Sequence, residues 1–200
     1  MELFRCPFPH DESWLVTAIH RAEGRVVLDG LLGCHVCGAQ FTLERGVVTF
    51  GAPPLDAASS ADAPVAPPDP WRIAALLDLR SPAGAVILQG SAAATSEALL
   101  EMLPVTILAV NPPAPLPPRE RFGSVNTGSQ LPLRTEVAAG IALAEGALVA
   151  DAARVLRPGG RLVAPADSGL PPELEELARD ERDWVAVKRR SGEAVQLTRR

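Results

Sequence analysis

At 200 residues and 47% hydrophobic content, the chain is long enough for one ordinary domain with a small companion, and wholesale disorder is excluded. A net charge of −5 argues against a nucleic-acid partner, because phosphate binding asks for a basic face. No apolar run approaches the ~18 residues of a membrane span. The three cysteines suit a reducing compartment and metal ligation better than a disulfide framework. With no basic-then-apolar pattern at the N-terminus, a cytoplasmic location is the expectation.

In chain order, residues 1–51 form the first unit, with apolar bursts at Leu15–Ile19, Arg25–Leu28, Phe41–Leu43 and Val47–Phe50. Glycines and charges separate the bursts, which predicts short strands and turns. So small a unit buries little surface, and a metal would help to hold it. All three cysteines and all three histidines lie here. Cys34-x-x-Cys37 followed by Gly38 is a metal knuckle: two thiolates grip one ion while the turn's amides point at the sulfurs. Cys6-Pro7 often opens a second knuckle. Its second cysteine would stand at Pro9, and the longer His10 side chain, next along, could reach the same ion. The expected zinc ligands are therefore Cys6, His10, Cys34 and Cys37, with His20 or His35 as alternatives to His10. Four protein ligands would leave no open position, so the zinc would be structural.

Residues 52–70 read as a semi-extended Pro/Ala-rich linker, with prolines at 53, 54, 64, 67, 68 and 70. Residues 71–200 alternate helix-like and strand-like patterns, which signals an α/β sheet. Helices are predicted over Trp71–Leu79, Thr95–Leu103, Ala147–Leu156 and, as an acidic helix, Pro171–Asp180. Strands are predicted at Ala85–Leu88, Val105–Val110, Phe122–Val125, Val137–Leu143 and Arg161–Ala164. A closing hairpin is expected from Trp184–Arg189 and Ala194–Thr198 around Ser191-Gly192. Between the second and third of these strands runs the proline-rich loop Pro112–Pro118.

Two resemblances follow from particular residues. Leu3-Phe4-Arg5-Cys6-Pro7, then Gly30 through Phe41, then Gly46-Val47-Val48 resemble the small zinc-ribbon partner subunit of tRNA and protein methyltransferases. They also resemble ribbons fused in front of some rRNA methyltransferases. Leu131-Pro132-Leu133-Arg134 leading into Val137–Leu143, and Ala152-Ala153-Arg154-Val155-Leu156-Arg157-Pro158-Gly159-Gly160-Arg161-Leu162-Val163, resemble class I S-adenosylmethionine methyltransferases. The implied architecture is α/β: a Rossmann-like methyltransferase sheet with a terminal antiparallel hairpin, behind a small β-rich zinc ribbon.

The resemblance also implies where a cofactor would sit: Gly90, Ala92, Asn111, Thr127 and Gly128. At such a rim the family places carboxylates and glycines, and this chain departs from both. Leu88, Asn111, Thr127 and Ala139 stand where acids are expected, and the loop Gly90-Ser91-Ala92-Ala93-Ala94 keeps one glycine. An asparagine accepts ribose hydroxyls more weakly than a carboxylate. The expected function is thus a non-catalytic, methyltransferase-fold accessory or structural subunit acting through protein contacts. The alternative is an S-adenosylmethionine-dependent methyltransferase acting on RNA or protein through an atypical pocket. The linker, the Pro112–Pro118 loop and the ribbon edge are the expected partner surfaces.

Overall fold

The computed structural model describes residues 3–51, 68–79 and 84–190. Four strands come from the N-terminal unit: β1 (Leu15–Glu23), β2 (Val26–Cys34), β3 (Gln40–Glu44) and β4 (Val47–Phe50). Alternation sets their inward face, with Leu28, Leu32, Cys34, Phe41, Leu43, Val48 and Phe50 buried. After helix α1 (Pro70–Leu76) follow β5 (Ala85–Gln89), α2 (Ser96–Met102), β6 (Thr106–Val110), β7 (Phe122–Thr127), β8 (Ala138–Ala142), α3 (Val149–Val155), β9 (Leu156–Pro165), β10 (Leu174–Arg179) and β11 (Asp183–Lys188).

All these strands belong to one 11-stranded sheet, ordered β1-β2-β3-β4-β7-β6-β5-β8-β9-β11-β10. Strands β4 to β9 run parallel, from β4 against β7 across to β8 against β9. The closing hairpin β10–β11 and the ribbon strands β1–β3 supply the antiparallel flanks. This is the Rossmann-like, methyltransferase-like sheet the sequence implies, and the N-terminal unit continues it edge to edge. Four consecutive pairs, Val47↔Ser124 to Phe50↔Thr127, make the join.

The sheet packs on both faces. On one side, Ile87, Leu108, Val125, Ile141, Leu162 and Trp184 meet α3, the ribbon's inward face and the N-terminal residues Phe4 and Cys6. On the other, Val86, Leu88, Ile107 and Ala109 meet α1 and α2. Each large apolar side chain buried this way contributes ~1.5–3 kcal/mol relative to exposure. Residues Leu131–Arg134 lie extended against the N-terminal segment: Arg5 N donates to Pro132 O at 3.0 Å and Arg134 N to Leu3 O at 2.9 Å. Gly46, at φ +79°, turns the β3–β4 hairpin under Pro118; a Cβ there would stand 2.7 Å from Pro118 Cβ.

Several expectations shift. Residues 171–180 are not an acidic helix: Leu174–Arg179 is the edge strand β10, paired with β11. Its Leu-Glu-Glu-Leu-Ala-Arg composition favours helix, but pairing along β11 and burial of Leu174 decide the outcome. The observed hairpin turns at Asp180–Asp183, and the expected Ala194–Thr198 strand lies outside the described residues. So does most of the expected linker, residues 52–67, whereas Pro70 already opens α1. There Asp69 caps the helix by accepting from Trp71 N at 3.0 Å. The helix expected over Ala147–Leu156 holds from Val149 to Val155 after a 3-10 turn at Gly146–Leu148, and strand β9 begins before Pro158 rather than after it. The helix expected at Thr95 starts at Ser96, after a 3-10 turn over Gly90–Thr95.

Candidate functional site

The four side chains expected at the metal site converge. The ligand atoms of Cys6, His10, Cys34 and Cys37 all lie within 4.8 Å of one another. Cys6 Sγ is 3.6 Å from Cys37 Sγ, and Cys34 Sγ is 3.4 Å from His10 Nε2. A tetrahedral zinc with bonds of about 2.0–2.3 Å sets its ligand atoms about 3.3–3.8 Å apart. The cluster is therefore compatible with a zinc site as it stands. Cys34 closes β2, and Cys6 is brought in by Cys6 N donating to Ser13 O at 3.0 Å. The knuckle turn closes through Gly38 N to Cys34 O at 2.9 Å, with Gly38 at φ +73°.

The surroundings act on three of the four side chains, His10, Cys6 and Cys34. His10 Nδ1 lies 2.7 Å from the Asp11 carbonyl, an acceptor that requires the proton on Nδ1 and leaves Nε2 bare toward the sulfurs. That carbonyl is also the main cause that holds the His10 pKa above its ordinary value, with burial opposing and the Cys37 and Cys34 sulfurs adding. Burial pushes the Cys6 thiol up to about 11, against the Phe8 amide, with the neighbouring thiols adding to the rise. Burial acts upward on Cys34 too, but the amides of Cys37 and Val36, with the Cys37 and Ser13 side chains, outweigh it and bring that thiol down to about 6. Of the alternative ligands, His35 turns away, its Nδ1 3.3 Å from Ser13 Oγ, and His20 is exposed on β1. Ser13, buried and 3.8 Å from Cys34 Sγ, was not legible in the sequence, since a lone serine carries no spacing signal.

The second region is the crevice outside the carboxyl ends of the parallel strands. The strand order reverses at β5, between β6 and β8, which is where such sheets take ligands. Gly90 follows β5 at φ +61°, Asn111 follows β6 at φ +47°, and Thr127 ends β7 with Gly128 next. The polar groups here are paired with one another. Asn111 Nδ2 donates to Thr127 O at 2.9 Å, and Thr127 N donates to Asn111 Oδ1 at 2.8 Å. Thr127 Oγ1 donates to Gln130 O at 2.6 Å. The buried Gln89, which the sequence did not single out, accepts from Ala144 N and Glu145 N at 2.9 and 3.2 Å. A Cβ on Gly90 would lie 3.0 Å from Ala144 Cβ, so the loops after β5 and β8 are packed together.

Of the remaining expected positions, Ala92 is buried in the 3-10 turn after β5 and belongs to the core beside α2. Leu88 is fully buried in that same core rather than at the rim. Ala139 lies at the start of β8, against Gly84 at the opposite edge of the sheet. Only Asn111 and Thr127, of the four substituted positions, stand at the crevice. The Cys/His cluster shares the carboxyl edge, but β2 is four strand positions from β6, roughly 20 Å away.

No family model matches the chain, and no curated protein matches it. Among solved structures the chain is similar to that of Burkholderia thailandensis 1,6-didemethyltoxoflavin-N1-methyltransferase with bound 1,6-didemethyltoxoflavin and S-adenosylhomocysteine. The identity is 14% and the TM-score 0.45, over 86% of this chain and 100% of that one. At that identity and score the likeness says nothing about activity. Among the described residues, no helix is long and apolar enough to cross a membrane.

Proposed function

We propose that this chain is a non-catalytic, methyltransferase-like protein, an accessory or structural subunit that works through protein contacts and carries a structural zinc on Cys6, His10, Cys34 and Cys37. The observation that carries the reading is the Asn111–Thr127 pair. The side chain at the end of β6, where a ribose acceptor would stand, spends both its amide nitrogen and its oxygen on the backbone of β7. A ligand's hydroxyls would have only the second N–H and second lone pair of a side chain that two hydrogen bonds already fix toward β7. Gln89 Oε1 accepts from the amides of Ala144 and Glu145, and the loops around Gly90 are in contact. No histidine stands at this crevice: His10, His20 and His35 all belong to the N-terminal unit.

The other reading, an S-adenosylmethionine-dependent methyltransferase acting on RNA or protein, draws on the backbone. Gly90 and Asn111 keep left-handed conformations at adjacent strand ends, which permit close approach of a ligand. Calorimetric titration of the zinc-loaded chain with S-adenosylmethionine and S-adenosylhomocysteine decides between them. The accessory reading expects no saturable heat at micromolar concentrations; micromolar binding of either nucleoside overturns it. A pull-down followed by mass spectrometry would name the partner.

A further inference from the structure

At the amino edge of the sheet, opposite the crevice, lies a cavity of about 540 Å³. Its walls include Phe4 from the N-terminal segment, Val26 and Val48 from the ribbon, and Ile107 and Phe122 from β6 and β7. That volume falls in the ~300–1,000 Å³ range of small-ligand pockets, which are mostly apolar with few polar groups. The polar lining is cationic in balance: Arg25, Arg119 and Arg121 stand against Glu120. Arg119 is held by Glu97 at 2.8 Å. The terminal nitrogens of Arg121 are 3.5 Å from the carbonyls of Val105 and Leu100, at the long limit of hydrogen bonding. Arg25, exposed on the β1–β2 turn, has no partner among the described residues. On the β7 wall, Ser124 is 3% exposed and its hydroxyl is buried without a hydrogen-bond partner.

We propose that this cavity is a binding site for a small carboxylate with an apolar, aromatic or branched body. The apolar walls cover one side of the body. The guanidinium forks of Arg25 and Arg121 suit a planar carboxylate, which accepts two parallel N–H bonds from such a fork. An uncharged ligand would leave that cationic rim unmatched, and a polyphosphate would set its charges against apolar walls. The site is separate from the crevice. Thr106 and Phe122 line the cavity at the beginnings of β6 and β7, whereas Asn111 and Thr127 stand at their far ends, about 17 Å along the strands. The inference therefore rests neither on zinc nor on the absence of nucleoside binding.

The test uses the whole 200-residue chain, supplied with zinc, and 1-naphthoate as probe, followed by amide chemical shifts in two-dimensional NMR. Saturable, submillimolar binding is expected, with shifts at Val26 and Gly123 and none at Gly90 or Asn111. The uncharged 1-naphthamide should bind more weakly than 1-naphthoate. Arg25→Ala, at an exposed position, should weaken 1-naphthoate by roughly fivefold, as loss of one partly exposed charge contact does. Val26→Trp, which fills the cavity from the ribbon side, should abolish binding. The proposal is overturned by absence of saturable shifts, by equal binding of the amide, by shifts centred on Gly90, or by an Arg25→Ala protein that binds as the parent does.

Discussion

Asn111 is a residue whose position and chemistry can be separated by one substitution. Its left-handed backbone is one that asparagine and aspartate tolerate, so Asn111→Asp keeps the turn. The change replaces the Nδ2 donor with a carboxylate oxygen facing the Thr127 carbonyl. It should destabilise the chain by about 1–3 kcal/mol, the usual penalty for leaving a buried acceptor unpaired. It should also leave S-adenosylmethionine unbound, because the packing at Gly90 and Ala144 is untouched. Urea unfolding with calorimetry reads both, and a tightly binding Asn111→Asp variant would show the crevice to be an intact pocket short of one charge. Cys34 makes the second residue-scale prediction. In metal-free protein its thiol should ionise near pH 6, seen as thiolate absorbance in the ultraviolet that Cys34→Ser removes. The folded value is depressed below the ordinary value of 9.0, so the stabilisation from the knuckle amides is complete above about pH 9 and is lost as pH falls through about 6. Zinc affinity should fall over the same acid range, as protons compete for the sulfur. An absorbance step near the ordinary thiol range instead would mean that the amides do not reach the thiolate.

Arg154 shows how an element holds a segment that has no secondary structure of its own. From α3, its Nη1 donates to Leu133 O at 2.8 Å and its Nη2 to Leu131 O at 3.0 Å, while Asp151 takes Nε at 2.6 Å. The Leu131 amide donates to the same Asp151 carboxylate. Arg154→Met keeps the apolar stem but frees two carbonyls and the carboxylate, so a loss of about 1–3 kcal/mol is expected. The hydrogen-exchange protection lost should be concentrated at Leu131–Arg134; uniform loss across the sheet would refute the clamp. That clamp explains why the Ala152–Val163 stretch was legible in sequence as a signature while the job of its arginine was not. Motif spacing places an element but does not say which carbonyls it faces. The same limit applies elsewhere. The parallel strands β5, β6 and β8 were readable because both their faces are buried and their apolar runs are short. The edge strand β10 read as helix because an exposed edge keeps helix-compatible polar residues and its strand identity comes from β11. The convergence of Cys6, His10, Cys34 and Cys37 was legible because cysteine and histidine spacing is itself the signal. Ser13 and Gln89 were not, because each acts only through a neighbour that folding supplies.

For the molecule as a whole, the N-terminal unit looks separable in sequence, yet it lies in the same sheet as the rest. Strand β4 has two pairs with β3 and four with β7, so it is bound more to the parallel sheet than to its own hairpin. Phe50 on β4 lies 4.6 Å from Phe41 and 5.5 Å from Phe4, ring centre to ring centre, and these rings belong to the core cluster that includes Val125, Leu131 and Leu133. Across the same junction Arg134 stacks on Trp14 at 4.6 Å, and Thr135 donates to Glu12 at 3.0 Å. Unfolding the ribbon would therefore expose the β7 edge and open the larger core, and domains joined in this way unfold together. If zinc holds the knuckle, its removal should act far from the cysteines. Chelation, or His10→Ala, should lower the thermal midpoint by at least about 10 °C, the effect of a few kcal/mol on a chain of this size. The transition should stay single, and the amides of Val125 and Asn126 should exchange faster along with those of the ribbon. Calorimetry and hydrogen exchange read the two outcomes. Two separate transitions, with β7 still protected after the ribbon has melted, would mean that the shared strand pairing carries little coupling and that the ribbon is an independent module.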